Sequence, residues 1–305
     1  MNSNGADRST VAFVGLGVMG LPMAANLAAA GFPVRGFDVG EQARANAAAA
    51  GVEIAPSLTE ALRDAGVVIT MLPDTPQVLE VAEGRGGIAE TCGEGTLFID
   101  MSTISPIASA ELAERLGQRG VRAIDAPVSG GVKGATEGAL SIMAGGDGAD
   151  VERAAEVFGV LGGRVTHMGP HGAGQATKLC NQVAVAIDIQ AVCEAYTLGA
   201  RLGVDLTKLT EALSGGSSAS WVLSNLGPQM LADDPSAGFR IRLQLKDLRL
   251  ALEAAAQLDV PLPAATGVNG LYLEAAAHGE GGNGNQALYK VYERLADVSL
   301  NALAD

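Results

Sequence analysis

The chain has 305 residues, of which 48% are apolar, so it can bury more than one core, and disorder is excluded. A formal net charge of −14 excludes a broad nucleic-acid face, because phosphate backbones are held by clustered Lys and Arg. Cys92, Cys180 and Cys193 show no metal-ligand spacing, residues 1–9 lack the apolar core of a signal peptide, and no unbroken apolar run reaches ~20 residues.

These exclusions lead to the expectation of a cytoplasmic protein with no metal site and no membrane partner. Residues 10–14 form an apolar, β-branched run that stops at Gly15. The loop Gly15-Leu16-Gly17-Val18-Met19-Gly20 then leads into a helical rhythm over 21–27, so the predicted order is strand, glycine turn, helix. In such a turn Gly15 permits the tight bend, Gly17 lets the backbone approach a pyrophosphate, and Gly20 lets helix and strand pack closely. Leu16, Val18 and Met19 complete this candidate cofactor loop, and Pro22 suits a first helical turn. A second strand over 33–37 ends at Asp38, where an acidic side chain grips the ribose hydroxyls of NAD. NAD is therefore the expected cofactor, and Arg35 and Arg44 lie close enough in sequence to keep NADP open.

The alternation continues with a helix over 41–50, a strand over 52–55, a helix over 57–64 and strands over 66–72 and 96–100. Leu72-Pro73 and Ser102-Thr103 follow strand ends, where a doubly wound sheet lines its ligand crevice. A helix to about 119 and a strand over 121–125 lead to Ser129-Gly130-Gly131. A hydroxyl among exposed N–H groups suits a carboxylate, although an ordinary turn has the same composition. Strands over 138–144 and 163–168, with a helix over 150–161 between them, complete the sheet.

From 172 to about 202 the pattern predicts one helix on the order of 40 Å long, enough to leave one domain and enter the next. Lys178 and Asn181 are three apart and project from one side of it. Such a pair can grip and protonate a small polar substrate, or belong to a solvated face. Cys180 is expected to be a small buried residue and not a nucleophile. Helices follow over 205–213, 220–231, 243–258, 263–278 and 285–300, parted by Gly, Pro and Asp, with a flexible connection over 279–284. The expected architecture is an α/β Rossmann-type doubly wound sheet over 1–171, then an all-α domain over 172–305 that begins with the joining helix. Helical domains with apolar faces commonly pair, so a homodimer or homotetramer is expected.

Four motifs stand in register: Gly15-Leu-Gly-Val-Met-Gly20, Asp125-Ala-Pro-Val-Ser-Gly-Gly131, Gly172-Ala-Gly-Gln-Ala-Thr-Lys178-Leu-Cys-Asn181 and Lys246-Asp247-Leu248. With them the chain resembles the β-hydroxyacid dehydrogenases, the family of 3-hydroxyisobutyrate dehydrogenase and tartronate semialdehyde reductase, from residue 11 to about 295. The resemblance implies an NAD(P)-dependent enzyme that interconverts a small 3-hydroxy carboxylic acid and its semialdehyde. It implies that Lys178 is the catalytic residue, that Asn181 is a substrate ligand, and that Ser129, Gly130 and Gly131 hold the substrate carboxylate. Lys246 would close over substrate and cofactor from the helical domain, and Leu72, Pro73 and Thr103 would line the nicotinamide side.

Residues 238–248 are most similar to tartronate semialdehyde reductases, and the chain lacks the Pro-rich insertion associated with 3-hydroxyisobutyrate dehydrogenases. The resemblance therefore implies 2-hydroxy-3-oxopropionate as substrate, with 3-hydroxyisobutyrate as the alternative. Asp38-Val39 departs from the Asp/Asn-Arg pattern of some relatives, which bears on the choice between NAD and NADP. Readings of other classes are an imine reductase on the same scaffold and a non-catalytic NAD(H)-binding protein. The joint presence of Lys178, Asn181 and Ser129 favours catalysis, and Ser220, Trp221 and Arg240 are candidates for substrate selectivity.

Overall fold

The computed structural model describes residues 8–301, which divide into two compact units, the first ending at Lys178 and the second beginning at Leu179. The first unit holds nine strands: β1 (Val11–Val14), β2 (Val34–Phe37), β3 (Glu53–Ile54), β4 (Val67–Thr70), β5 (Leu97–Asp100), β6 (Arg122–Asp125), β7 (Val128–Ser129), β8 (Leu140–Gly146) and β9 (Gly162–Gly169). They form one sheet in the order β3-β2-β1-β4-β5-β6-β8-β7, with β9 also paired to β8. β1 to β6 run parallel, β8 is antiparallel to β6 and β7, and β9 runs parallel to β8. The order 3-2-1-4-5-6 is that of the dinucleotide-binding fold, with its topological switch between β1 and β4.

All four residues of β1 are buried, as expected for a central parallel strand covered on both faces. The period of two sorts the sheet's side chains into two cores. Val11, Phe13, Ile69 and Ile99 pack with Leu27 and Phe158 on one face, while Ala12, Val68 and Phe98 pack with Leu62 and Leu116 on the other. Register then aligns the strand ends: Phe37 lies beside Val14, Val14 beside Thr70, Thr70 beside Asp100, and Asp100 beside Asp125. The segments that follow these residues therefore emerge along one edge of the sheet.

The helix Ala173–Arg201 is continuous for 29 residues. Among the described residues it alone is long and apolar enough to cross a membrane by length and composition. Polar residues recur along it at Lys178, Asn181, Gln182, Asp188 and Glu194, and length and mean hydropathy do not separate it from the core helix of a globular protein. The second unit is otherwise built of shorter helices around its own core of Tyr196, Met230, Leu248, Tyr272 and Tyr289.

Several predicted elements are subdivided. The helix expected over 220–231 is two, Trp221–Asn225 and Gly227–Leu231, because Pro228 cannot donate into a continuing helix and instead opens a new one. The helix expected over 285–300 begins as a 3-10 turn, Asn285–Leu288, and its α-helical part, Tyr289–Ala296, ends where Asp297 takes φ 49°. A helix at Thr75–Glu83, capped by the Asp74 carboxylate, occupies a stretch for which no element was predicted. The region expected to be a loop around Ser129 contains β7 and the short helix Gly131–Glu137.

Candidate functional site

The three glycines of the first turn have separate physical reasons. Gly15 has φ 97°, and a Cβ there would stand 2.3 Å from the Met71 carbonyl oxygen. A Cβ on Gly20 would lie 1.8 Å from the carbonyl oxygen of Gly15, so the helix Gly20–Ala29 can touch the strand turn only without a side chain. A Cβ on Gly17 would meet nothing within 4 Å, which leaves the backbone open to an approaching group. Met19 precedes that helix without a side-chain cap, and Val18 is 62% exposed. Uncapped N–H groups at the start of a ten-residue helix attract an anion such as a pyrophosphate.

Asp38 follows β2 and its carboxylate is oriented from two sides. The Leu16 N–H donates to Oδ2 at 2.8 Å and the Gly40 N–H donates to Oδ1 at 2.7 Å. Arg44 donates through Nη1 to the carbonyl oxygens of Asp38 (2.6 Å) and Val39 (3.0 Å). Arg35 turns to the carbonyl oxygens of Glu60 and Arg63. Of the two arginines that keep NADP open in sequence, Arg44 stands at the Asp38 turn and Arg35 is engaged away from it.

Beyond β4, β5 and β6 lies a buried polar layer. Thr70 donates its hydroxyl to Asp100 Oδ1 at 2.8 Å, and the Ser102 N–H donates to the same oxygen at 3.1 Å. Ser102 Oγ in turn accepts the Leu72 N–H at 2.9 Å. Asp100 is fully enclosed, and burial pushes its carboxyl up to about 6, with the nearby Asp125 adding to the rise and hydrogen bonds from Ser102 and Thr70 opposing it. Asp125 at the end of β6 accepts the N–H groups of Gly172 (Oδ1) and Gln175 (Oδ2), each at 2.8 Å. Burial raises its pKa as well, and these hydrogen bonds counteract the rise. Gln175 completes the layer: its Nε2 donates to the Ser102 carbonyl oxygen at 2.8 Å, and its Oε1 accepts the Ile104 N–H at 3.0 Å.

Ser129 ends β7, half-buried and paired with Ser141, while Gly130 and Gly131 follow with φ 131° and 61°. Only glycine takes such a pair of conformations without strain. Lys178 is buried, one helical turn beyond Gln175. Cys180, expected to be buried, is exposed; two positions along a helix turn it about 200° from Lys178, to the opposite side.

Asn181 and Lys246 belong to the second unit. Asn181 Nδ2 donates to Gln182 Oε1 at 3.3 Å, and Gln182 Nε2 donates to Asp247 Oδ2 at 2.6 Å. The Lys246 ammonium lies 2.8 Å from Asp247 Oδ1. Asp247 is 1% exposed, and a buried carboxylate is tolerated when paired and hydrogen-bonded in this way. The sequence assigns roles to Asn181 and Lys246 but none to Gln182 or to Asp247, which stands in the Lys246-Asp247-Leu248 motif; these two link Asn181 to Lys246, and no spacing rule joins positions 182 and 247. Ser220 is spent on capping the helix Trp221–Asn225 through the Leu223 N–H, Trp221 is largely exposed, and Arg240 is exposed before the helix Ile241–Gln257.

Known proteins are similar to this chain along nearly its whole length. A family model for the NAD-binding domain of 6-phosphogluconate dehydrogenase matches residues 10–169. A second, for the NAD-binding of NADP-dependent 3-hydroxyisobutyrate dehydrogenase, matches residues 172–292. The chain is 40% identical over 290 residues to the 2-hydroxy-3-oxopropionate reductase of Escherichia coli, a match that covers 94% of this chain and 98% of the relative. An uncharacterised oxidoreductase of Synechocystis is 40% identical over 286 residues, covering 93% and 98%. The solved structure of 3-hydroxyisobutyrate dehydrogenase from Mycobacterium tuberculosis with L-serine superposes with TM-score 0.87 at 36% identity, covering 93% of this chain and 98% of that one.

Proposed function

The chain belongs to the β-hydroxyacid dehydrogenase family of NAD(P)-dependent oxidoreductases, and we propose that it reduces 2-hydroxy-3-oxopropionate to glycerate. The observation that carries the choice of substrate is the likeness to the E. coli reductase over 94% of the chain. Asp38, oriented by the Leu16 and Gly40 N–H groups to meet a ribose diol, supports NADH as the preferred coenzyme.

When bound, the nicotinamide supplies the hydride for the aldehyde carbon. The protein's part is to hold both partners and to provide the proton. Gly15 to Gly20, with Leu16, Val18 and Met19 between the glycines, receive the pyrophosphate, and Leu72, Pro73 and Thr103 line the nicotinamide side. The Ser129 hydroxyl and the N–H groups of Gly130 and Gly131 hold the substrate carboxylate, which fixes the aldehyde against the reacting ring. Lys178 donates a proton from Nζ to the aldehyde oxygen as negative charge develops there. Asn181 donates a hydrogen bond to the substrate, and Lys246 adds a second cation, its ammonium steadied by Asp247.

The test is a panel of tartronate semialdehyde, methylmalonate semialdehyde and succinate semialdehyde, each with NADH and NADPH. The highest kcat/KM is expected for tartronate semialdehyde with NADH. A higher value for methylmalonate semialdehyde would move the substrate to 3-hydroxyisobutyrate, the reading favoured by the likeness to the mycobacterial structure. Lys178→Ala is expected to lower kcat by about 100-fold or more while NADH still binds. A rate equal to that of the unaltered protein would remove Lys178 from the mechanism.

A further inference from the structure

We propose that Gln175 is a positioning residue whose side chain clamps the coenzyme-side segment around Thr103 to the helix that carries Lys178, setting coenzyme and proton donor in register. The inference rests on the assignment of Thr103 to the coenzyme and of Lys178 to proton transfer. Gln175 is 0% exposed, and a buried amide is tolerated only when both of its ends are satisfied. Here both ends go to one short segment: Nε2 to the Ser102 carbonyl oxygen and Oε1 to the Ile104 N–H. These are the main-chain groups on either side of Thr103. β5 has ended at Asp100, so this segment has no regular strand pairing of its own, and a single side-chain amide takes the place of a neighbouring strand.

The other end of the clamp is equally fixed. The Gln175 N–H donates to Asp125 Oδ2 while the Gly172 N–H donates to Oδ1, so one buried carboxylate pins the first turn of the helix Ala173–Arg201 to the end of β6. There is no slack around it, since a Cβ on Gly174 would lie 2.3 Å from the Met143 carbonyl oxygen. Lys178 follows at i+3, on the same side of the helix as Gln175. Ser102 extends the connection, because its Oγ accepts the Leu72 N–H. A movement of the Thr103 segment is therefore a movement of Leu72 on one side and of the Lys178 helix on the other.

Only a side chain of this length with one donor and one acceptor makes both bonds, and this suggests the experiment. Gln175→Met and Gln175→Glu would be made in the full chain and compared with the unaltered protein by Tm, NADH Kd from fluorescence titration, and kcat and KM for the best semialdehyde between pH 5.5 and 8.5. For Gln175→Met, a rise of about tenfold in NADH Kd and a fall of about tenfold in kcat are expected, with semialdehyde KM little changed. Gln175→Glu would show the same losses at pH 8 and regain activity and NADH affinity as the pH falls. Its protonated carboxyl can donate to the Ser102 carbonyl oxygen and accept from the Ile104 N–H. The charged groups around this position are Asp125, which accepts the residue-175 N–H, Asp100 beside Asp125 at the strand ends, and Lys178 three residues on along the same helix.

Coenzyme affinity and kcat unchanged in both variants would overturn the proposal, as would losses in Gln175→Glu that do not vary with pH or that follow Tm alone. Lys178→Ala assayed alongside separates the two levels. If Lys178→Ala is inactive and the Gln175 variants behave as the unaltered protein, the clamp fails by itself. If Lys178→Ala is fully active, the assignment of Lys178 fails, and the link to proton transfer falls with it.

Discussion

The enclosed carboxyl of Asp100 makes a prediction about stability that can be worked from the structure. Burial lifts its pKa from an ordinary 3.8 to about 6, so the folded protein keeps this proton over a range in which the unfolded chain has lost it. Below pH 3.8 both states are protonated, and the group adds no pH-dependent cost. As the pH rises from 3.8 to about 6, unfolding releases the proton and stability falls. Above that range both states are ionised, and the full cost, at about 1.4 kcal/mol per pH unit, is about 3 kcal/mol. Between pH 5 and pH 8 roughly half of it, about 1.4 kcal/mol, is expected.

Asp100→Asn removes the titration. It also disturbs the bonds with Thr70 and Ser102, which shifts the stability of the variant by an amount largely independent of pH. The measurement is therefore the stability gap between the two proteins, from urea denaturation at pH 5, 6, 7 and 8. Far-UV circular dichroism is the suitable signal, because the single tryptophan, Trp221, lies in the other unit. The unaltered protein should lose about 1.4 kcal/mol relative to Asp100→Asn between pH 5 and pH 8. A gap that stays flat, or that moves in favour of the unaltered protein, would refute the placement of a proton on this carboxyl.

Two further outcomes concern the cofactor loop. Gly20→Ala, whose Cβ would stand 1.8 Å from the Gly15 carbonyl oxygen, should lower stability by about 3 kcal/mol, seen as a fall in Tm. Gly17→Ala meets nothing within 4 Å and should leave Tm unchanged, yet weaken NADH about tenfold in a fluorescence titration; NADH affinity equal to that of the unaltered protein would argue against pyrophosphate contact there. Asp38→Ala should raise the NADH Kd about tenfold and leave NADPH much less affected, since Arg44 remains at the turn; equal losses for both coenzymes would contradict a role at the ribose diol.

The strand–glycine–helix start, the acidic end of β2 and the long helix were legible from the chain because each rests on a local constraint. A positive φ, a missing Cβ or a run without Pro acts over a few residues, and Gly15, Gly20 and residues 172–202 carry those signals in their identities. Local signals failed where two constraints competed within a short span. Pro228 divided a helix whose apolar rhythm continued through it, and Ser129 was drawn into a two-residue strand by its pairing with Ser141. Cys180 was misjudged because composition says nothing about which side of a helix faces outward.

The sequence alone determined the class of fold and the class of coenzyme, and it nominated the residues proposed for the chemistry. Tertiary structure decided what holds those residues. Asp100, Asp125 and Gln175 are separated by 25 and 50 positions, and only the parallel register of β5 and β6 brings the two carboxylates side by side and sets the helix start against them. Likewise Asp247 meets Gln182 across 65 positions, and through it supports Asn181 and Lys246. Spacing along a chain can show which side chains share a face of one helix or strand. Partners drawn from different elements are selected by burial, since each enclosed polar group must find another, and that requirement becomes specific only when the chain has folded.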